Sequence, residues 1–279
     1  MVATRIWQRF AAVAAAASLA AGCESSTSAG TGRLQVLLTD SPITDVESAT
    51  FYISQVYLIG GSDASGTKFT ITTTPVTYDL LTLQDGITAD LGAATIPTGT
   101  YTQMRFVVDS AKLTLKSPLK FSDGTTSKVL KVPSGMQTGI KVNFAAPLQI
   151  TPGQTILVAE IDVSRNFVFT GPPTAPTGAL FTPVIRATVQ NLAGSISGNV
   201  GVAHLPAKVY AINSALTPPA DTVTTAVPNS TGDYALLFLP PGTYKVLAVN
   251  TATTPFPVIG TQTGVIVTAG QVTPNINFP

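Results

Sequence analysis

The chain has 279 residues and a formal net charge of +1, from 15 Lys or Arg and 14 Asp or Glu residues. Charged residues make up only 10% of it. That is too few for the basic stripe through which a nucleic-acid binder neutralises phosphates, so a nucleic-acid partner is excluded. The single cysteine excludes an intrachain disulfide, and the length suffices for one large or two smaller hydrophobic cores.

The first 22 residues are typical of an export signal. Arg5 and Arg9 precede an apolar run at 10–19, which is too short to span a bilayer in a mature protein. The run ends in LAAGC at 19–23, which resembles the lipobox of bacterial lipoproteins, with a small residue before the cysteine that is lipidated. We predict a lipoprotein signal peptide at 1–22, palmitate or a related acyl chain on Cys23, and a membrane as partner. The alternative is an ordinary secretory signal that leaves Cys23 as a chance thiol.

The residues after Cys23 predict where the protein lies. Residues 23–32 are polar and rich in Ser, Thr and Gly, as expected for a flexible tether. Residue Glu24 follows the cysteine, where an Asp would favour retention at the inner membrane. We therefore predict a bacterial cell-envelope protein, with the outer membrane favoured.

The rest of the chain predicts an all-β protein, because Thr and Val are abundant and no sustained 3.6-residue apolar period occurs after the signal. Over 33–191 we predict an antiparallel β-sandwich or open barrel. We predict a helical turn or two at 83–91 and a loop at 171–178. The predicted strands lie at 33–39, 49–59, 68–72, 76–81, 101–108, 111–116, 128–132, 140–144, 148–150, 155–169 and 180–189.

After a boundary near residues 191–194, a smaller pattern begins. Predicted strands lie at 194–200, 207–213, 231–250 and 264–278. The stretch GDYALLFLPPGTYKV at 232–246 resembles carboxypeptidase-regulatory-like modules. The resemblance covers 193–279 and implies a small transthyretin-like β-sandwich with a carbohydrate-binding-like fold, which in many proteins acts as a spacer.

The first part resembles a bacterial lipoprotein family built on domain of unknown function 4382, over roughly 32–190. The family implies an envelope lipoprotein and brings no established activity or ligand. The matching stretches are LTDSP at 38–42, YDLL at 78–81, IPTGTYTQMR at 96–105, PSGMQTGIK at 133–141 and PVIR at 183–186.

Groups for catalysis are scarce in the sequence. His204 is the one histidine, and it has no Ser or carboxylate spaced near it for a triad. Glu160 and Asp162 are two residues apart, hence on one face of a strand, as a paired acid and base would be. Pairing with Arg105 or Arg186, or plain exposure, is the simpler interpretation. We predict no enzymatic activity and no cofactor.

Two weaker binding candidates remain. Asp40, Asp45 and Glu47 lie within eight residues and could offer oxygens to calcium, although Asp40 could instead cap its own turn. Tyr210, Tyr234 and Tyr244 could stack against a sugar, although sandwich cores use tyrosine too.

The sequence thus predicts a lipid-anchored, non-enzymatic envelope protein with a binding or assembly role, whose partner is an envelope polysaccharide or protein. The alternative is a carbohydrate-binding envelope lipoprotein that uses its C-terminal module.

Overall fold

The computed structural model describes residues 30–41, 46–60, 66–130, 132, 138–144, 146–182, 184–216 and 222–278. The predicted signal peptide, Cys23 and Asp45 lie outside these residues. Within them the protein is all-β, which confirms the predicted class: the chain forms strands, one four-residue helix, α1 (Val163–Asn166), and short 3-10 turns at Leu80–Leu83, Gln190–Leu192 and Val202–His204. In the described part of the chain, no helix has the length and hydropathy that a membrane span requires.

The first part of the chain forms one large sheet and a separate hairpin. The hairpin is β11–β12, whose strands are antiparallel. The strands are β1 (Thr31–Ser41), β2 (Val46–Gly60), β3 (Lys68–Thr72), β4 (Val76–Asp79), β5 (Ala89–Pro97), β6 (Gly99–Leu115), β7 (Ser127–Leu130), β8 (Ile140–Phe144), β9 (Leu148–Ile150), β10 (Gln154–Asp162), β11 (Phe167–Thr170), β12 (Gly178–Phe181) and β13 (Ile185–Val189).

The large sheet has the order β3-β2-β6-β8-β13-β10-β1-β5, with β4 pairing β2 and with β7 and β9 pairing β6. Its two ends approach each other, since a Cβ on Gly92 of β5 would lie 3.0 Å from Thr72 of β3. The sheet is therefore a nearly closed barrel. Its interior is filled by alternate residues of its strands, as in β6, where Met104, Phe106 and Val108 are fully buried.

Two pairings in this sheet are parallel, β1 with β10 and β13 with β8. The first of them positions the candidate site. Parallel pairing brings the carboxyl ends of both strands to the same place, so that Thr39 lies in register with Glu160 and Ser41 with Asp162.

Several predicted elements differ in extent. The helical turn expected at 83–91 is shorter and lies earlier, at 80–83, because residues 89–91 already belong to β5. The strands expected at 101–108 and 111–116 form a single strand, β6, while the strand expected at 155–169 is interrupted by α1. The loop predicted at 171–178 connects β11 and β12.

The second part of the chain forms a smaller sandwich, called here the second sandwich. One sheet has the order β17-β14-β20 and the other β16-β15-β18-β19. Both contribute to one hydrophobic core that includes Ile196, Val209, Leu236 and Val246. The strands are β14 (Gly194–Asn199), β15 (Ala207–Asn213), β16 (Thr222–Ala226), β17 (Asp233–Leu239), β18 (Gly242–Asn250), β19 (Val258–Val267) and β20 (Val272–Thr273).

Candidate functional site

Of the residues predicted as calcium ligands, Asp40 is buried and Glu47 is exposed. Asp40 is buried near the end of β1, where its Oδ1 accepts a hydrogen bond from the backbone N–H of Val163 at 3.0 Å. It therefore contacts a distant part of the chain. Glu47 is exposed at the start of β2. Among the described residues, no group of three or more His, Cys, Asp or Glu side chains could hold a metal ion.

Burial raises the pKa of the Asp40 carboxyl well above its usual value of 3.8. Desolvation is the largest cause, and repulsion from Asp162 and Glu160 acts in the same direction. The hydrogen bond from Val163 opposes this rise. Asp40 is thus one of a group of carboxyl groups collected at the ends of β1 and β10.

The sugar-stacking role predicted for Tyr234 and Tyr244 does not fit their positions. Their side chains are only 5% and 1% exposed, so neither presents a ring face to solvent. The hydroxyl of Tyr234 donates to the carbonyl of Ile276 at 2.5 Å, and that of Tyr244 donates to the carbonyl of Pro240 at 2.7 Å. Burial raises the pKa of Tyr244 to about 12. Tyr210 remains partly exposed on β15.

A second carboxyl group in an unusual environment is that of Glu160, on the outward face of β10. Its neighbours Ala159 and Ile161 face the barrel core, so Glu160 points away from it. There the second sandwich covers the sheet. The Oε1 atom of Glu160 accepts hydrogen bonds from the hydroxyl of Ser41, on β1, and from that of Thr224, on β16, at 2.5 Å in the second case. One carboxyl group thus joins the large sheet to the second sandwich.

The pKa of Glu160 is raised from 4.5 to about 7. Desolvation of the carboxyl group is the largest cause, although the residue as a whole keeps some exposure to solvent. Repulsion from Asp162 adds to the rise, whereas the hydrogen bonds from Ser41 and Thr224 and the charge of Arg186 lower the pKa. Glu160 therefore changes its protonation state at a pH well above that of an ordinary glutamate.

Two arginines contact the backbone of β16. Arg186 lies opposite Glu160 in the β10–β13 register, and its Nη1 donates to the carbonyl of Val223 at 2.7 Å. Arg165, in α1, donates through Nη1 to the carbonyl of Thr222. Of the two arginines predicted as partners for Glu160, Arg186 is beside it. Arg105 lies on β6 and donates to the carbonyl of Gly139. The contacts of Arg165 and Arg186 with β16, together with those among Ser41, Glu160 and Thr224, are called here the junction.

Beside the junction lies a cleft of about 430 Å³ between the large sheet and the second sandwich. Its size is within the range of small-molecule sites. Glu160 and Arg186 supply its charged groups. The second sandwich contributes the turn of Pro240 and Pro241, which belongs to the stretch noted in the sequence. Its apolar walls include Phe144, Val158, Val184, Leu216, Val223 and Phe238.

The sequence pointed to Glu160 and Arg186 but not to Ser41 or Thr224. Strand β16 was missed, and with it Thr224, although the run TVTTAV at 222–227 has the β-branched composition typical of a strand. Ser41 lies beyond the predicted end of the first strand at residue 39, whereas β1 extends to Ser41. His204 lies in a 3-10 turn on the wall of another surface cleft, of about 480 Å³.

Comparison with known proteins assigns the first part of the chain to a protein family. Residues 31–177 match the family described as "Domain of unknown function (DUF4382)". No curated protein matches the chain.

Three of the similar solved structures are bacterial proteins of low identity. The first is the TIE protein of Bacillus anthracis, at 13% identity over 88% of this chain and 33% of that one, with a TM-score of 0.20. This chain thus spans about a third of its length. The second is GBS52, the minor pilin of Streptococcus agalactiae, at 9% identity over 87% of this chain and 94% of that one, with a TM-score of 0.20. The third is the shaft pilin SpaA of Lactobacillus rhamnosus GG, at 8% identity over 89% of this chain and 97% of that one, with a TM-score of 0.24. TM-scores this low carry no argument about what this chain binds.

Proposed function

Because the chain belongs to the DUF4382 family through residues 31–177, we propose that it is a lipid-anchored, non-enzymatic protein of the bacterial cell envelope with a binding or assembly role. The lipobox-like LAAGC at 19–23 supports the anchor, and the polar residues that follow support a tether between the bilayer and β1, which begins at Thr31. The outer membrane is the favoured location, since Glu24 stands where an inner-membrane retention signal would have Asp.

The observation that carries the non-enzymatic role is the use made of Glu160. A carboxyl group with a pKa near 7 in a cleft is a usual sign of an acid–base catalyst, but structural networks perturb pKa values too. Here the same Oε1 atom is bonded to Ser41 and Thr224, which come from the large sheet and the second sandwich. Its carboxyl group is therefore engaged in holding the molecule together.

We place two units in the chain, an N-terminal β-sandwich domain at 33–191 and a carboxypeptidase-regulatory-like module at 193–279. Two separate hydrophobic clusters support this division. The Pro-Pro turn of the module faces the large sheet across the cleft, which favours a spacer that displays its far side to an envelope polysaccharide or protein.

The anchor is tested with Cys23→Ser in the full chain, expressed in a bacterium with labelled palmitate. We expect the wild type to carry the label and to remain in the membrane fraction, and Cys23→Ser to lose both properties. Ser25→Ala is the matched control and should behave as the wild type. Normal processing and membrane retention of Cys23→Ser would contradict the proposal.

Carbohydrate binding by the second sandwich is the alternative. It is favoured by the 480 Å³ surface cleft, which has Asn199, His204 and Asn277 among its lining residues. Its test is a polysaccharide retention assay with the full chain and with His204→Ala. Retention of the protein that weakens in the variant would support this function. If the protein were retained on no envelope polysaccharide, the function would be ruled out.

A further inference from the structure

We propose that the junction is a proton-operated contact: it is closed while Glu160 carries its proton, and the second sandwich loosens from the large sheet when Glu160 ionises. The inference concerns the junction alone and does not depend on the lipid anchor or on the choice between the two proposed functions.

Counting protons at the junction supports the closed state with a neutral Glu160. Three oxygen atoms lie within hydrogen-bond distance of one another: Oγ of Ser41, Oγ1 of Thr224 and Oε1 of Glu160, with 3.0 Å between the two hydroxyls. Each hydroxyl supplies one proton and an ionised carboxylate supplies none. With an ionised Glu160 both hydroxyl protons go to Oε1, and the contact between the two hydroxyls has no proton. A proton on Oε1 can instead be donated to one hydroxyl, whose own proton then goes to the other, so that all three contacts can be hydrogen bonds.

The charges around Glu160 act in the same direction. Asp162, on the same strand, and Asp40, on β1, are buried carboxyl groups that interact with it. An ionised Glu160 would add a negative charge to this group in a desolvated place. Arg186 opposes the repulsion but contributes least of the named causes. The other titratable groups at the junction and its cavities are Asp85, Arg165, Tyr210 and Tyr244.

Burial of Val158 shows what opening would expose. Val158 lies on the same outward face of β10 as Glu160 and lines the cleft, yet its side chain is only 2% exposed. Thr224 and Ser41 are likewise 4% and 2% exposed. Loosening of the junction would therefore open an apolar part of the large sheet to solvent.

The direction of the pH dependence follows from linkage. A released Glu160 would return to its ordinary pKa of 4.5, whereas in the closed junction its pKa is about 7. The closed state therefore binds the proton more tightly. Closure is fully favoured below pH 4.5, is lost progressively as the pH rises to 7, and does not change further above that. The equilibrium constant for closure should fall by on the order of a hundredfold across this window.

The test is carbene footprinting of the full chain at pH 5 and pH 8, in which a photogenerated carbene labels exposed side chains. Labelling of the β10 peptide that contains Val158 is normalised to that of Val129, which is 71% exposed. For the wild type we expect labelling of Val158 to rise at least threefold at pH 8. In Glu160→Gln the side-chain amide keeps a hydrogen-bond donor and an acceptor at every pH. Val158 of this variant should therefore stay protected from labelling at both pH 5 and pH 8.

Two further variants complete the design. Glu47→Gln makes the same chemical change at an exposed position and should keep the wild-type response. Thr224→Val removes one hydroxyl from the junction, so we expect its Val158 to be labelled at pH 5 already, and this variant serves as the test should Glu160→Gln fail to fold. Equal labelling of the wild type at both pH values, or a wild-type pH response in Glu160→Gln, would overturn the proposal.

Discussion

Two tyrosines, Tyr101 and Tyr244, make the same contact at corresponding points of the large sheet and the second sandwich. Each follows a proline by four residues, in PTGTY at 97–101 and PPGTY at 240–244. Each hydroxyl donates to the carbonyl of that proline, at 2.8 Å and 2.7 Å. Both rings are buried, at 0% and 1% exposure. The tyrosine thus fastens the entry of a long strand to the turn before it, as tyrosine corners do in other sandwiches.

Removing either hydroxyl should destabilise the protein, because the ring would stay buried while the proline carbonyl loses its donor. We expect Tyr101→Phe and Tyr244→Phe each to lower the free energy of unfolding by about 1–2 kcal/mol. Tyr52→Phe is the matched control, since Tyr52 is 37% exposed, and should change it by less than about 0.5 kcal/mol. Urea unfolding measures all three. Equal stability of the Tyr244→Phe and Tyr52→Phe proteins would refute this role.

At the scale of elements, the end of the chain depends on one glycine of β14. The backbone N–H of Ile276 donates to the carbonyl of Ser197 at 3.0 Å, and that of Phe278 to the carbonyl of Asn199 at 2.8 Å. Phe278 is 3% exposed and belongs to the core of the second sandwich. A Cβ on Gly198 would lie 1.9 Å from the carbonyl oxygen of Ile276. The close approach requires glycine at this position.

Gly198→Ala should therefore push the last residues away from β14 and open the core around Phe278. We expect a loss of about 3 kcal/mol in the free energy of unfolding, as for other overpacked sites. Gly178→Ala, in β12, is the control, because its nearest atom would be Thr170 Oγ1 at 3.5 Å, an ordinary contact. Thermal unfolding followed by circular dichroism compares the two. If Gly198→Ala were as stable as Gly178→Ala, the terminal segment would not be part of the fold.

Alternation along single strands made much of this fold predictable. In β1, buried residues alternate with more exposed ones up to Leu38 as the apolar pattern indicates, with Leu34, Val36 and Leu38 inside. Pairing was not predictable, because β10, the parallel partner of β1, lies about 120 residues away and the period of two does not indicate which strands pair. The candidate site depends on that pairing, so the sequence identified Glu160 but gave no sign of Ser41 or Thr224 beside it.

At the scale of the whole molecule, the units that hold the two hydrophobic cores meet at an interface with both apolar contacts and hydrogen bonds. The first core fills the barrel and the second fills the second sandwich. Val158 lies between them, on the outward face of β10 but buried. Covering this face shields apolar surface of the large sheet, and the hydrogen bonds of Arg165 and Arg186 engage carbonyls of β16, an edge strand of its sheet. The contact should couple the stabilities of the two cores.

Breaking this contact should separate the unfolding of the two cores. In Val158→Asp, a second carboxyl group would be buried beside Glu160, with Arg186 as the cation of the same cleft. Desolvation of the added charge costs several kcal/mol and favours release of the second sandwich. Scanning calorimetry at pH 5, where we expect the junction closed, should show one transition for the wild type and two for Val158→Asp. Val129→Asp introduces the same charge at a valine that is 71% exposed, and it should retain a single transition near the wild-type temperature. One unchanged transition in Val158→Asp would mean that the two cores are not coupled through this face.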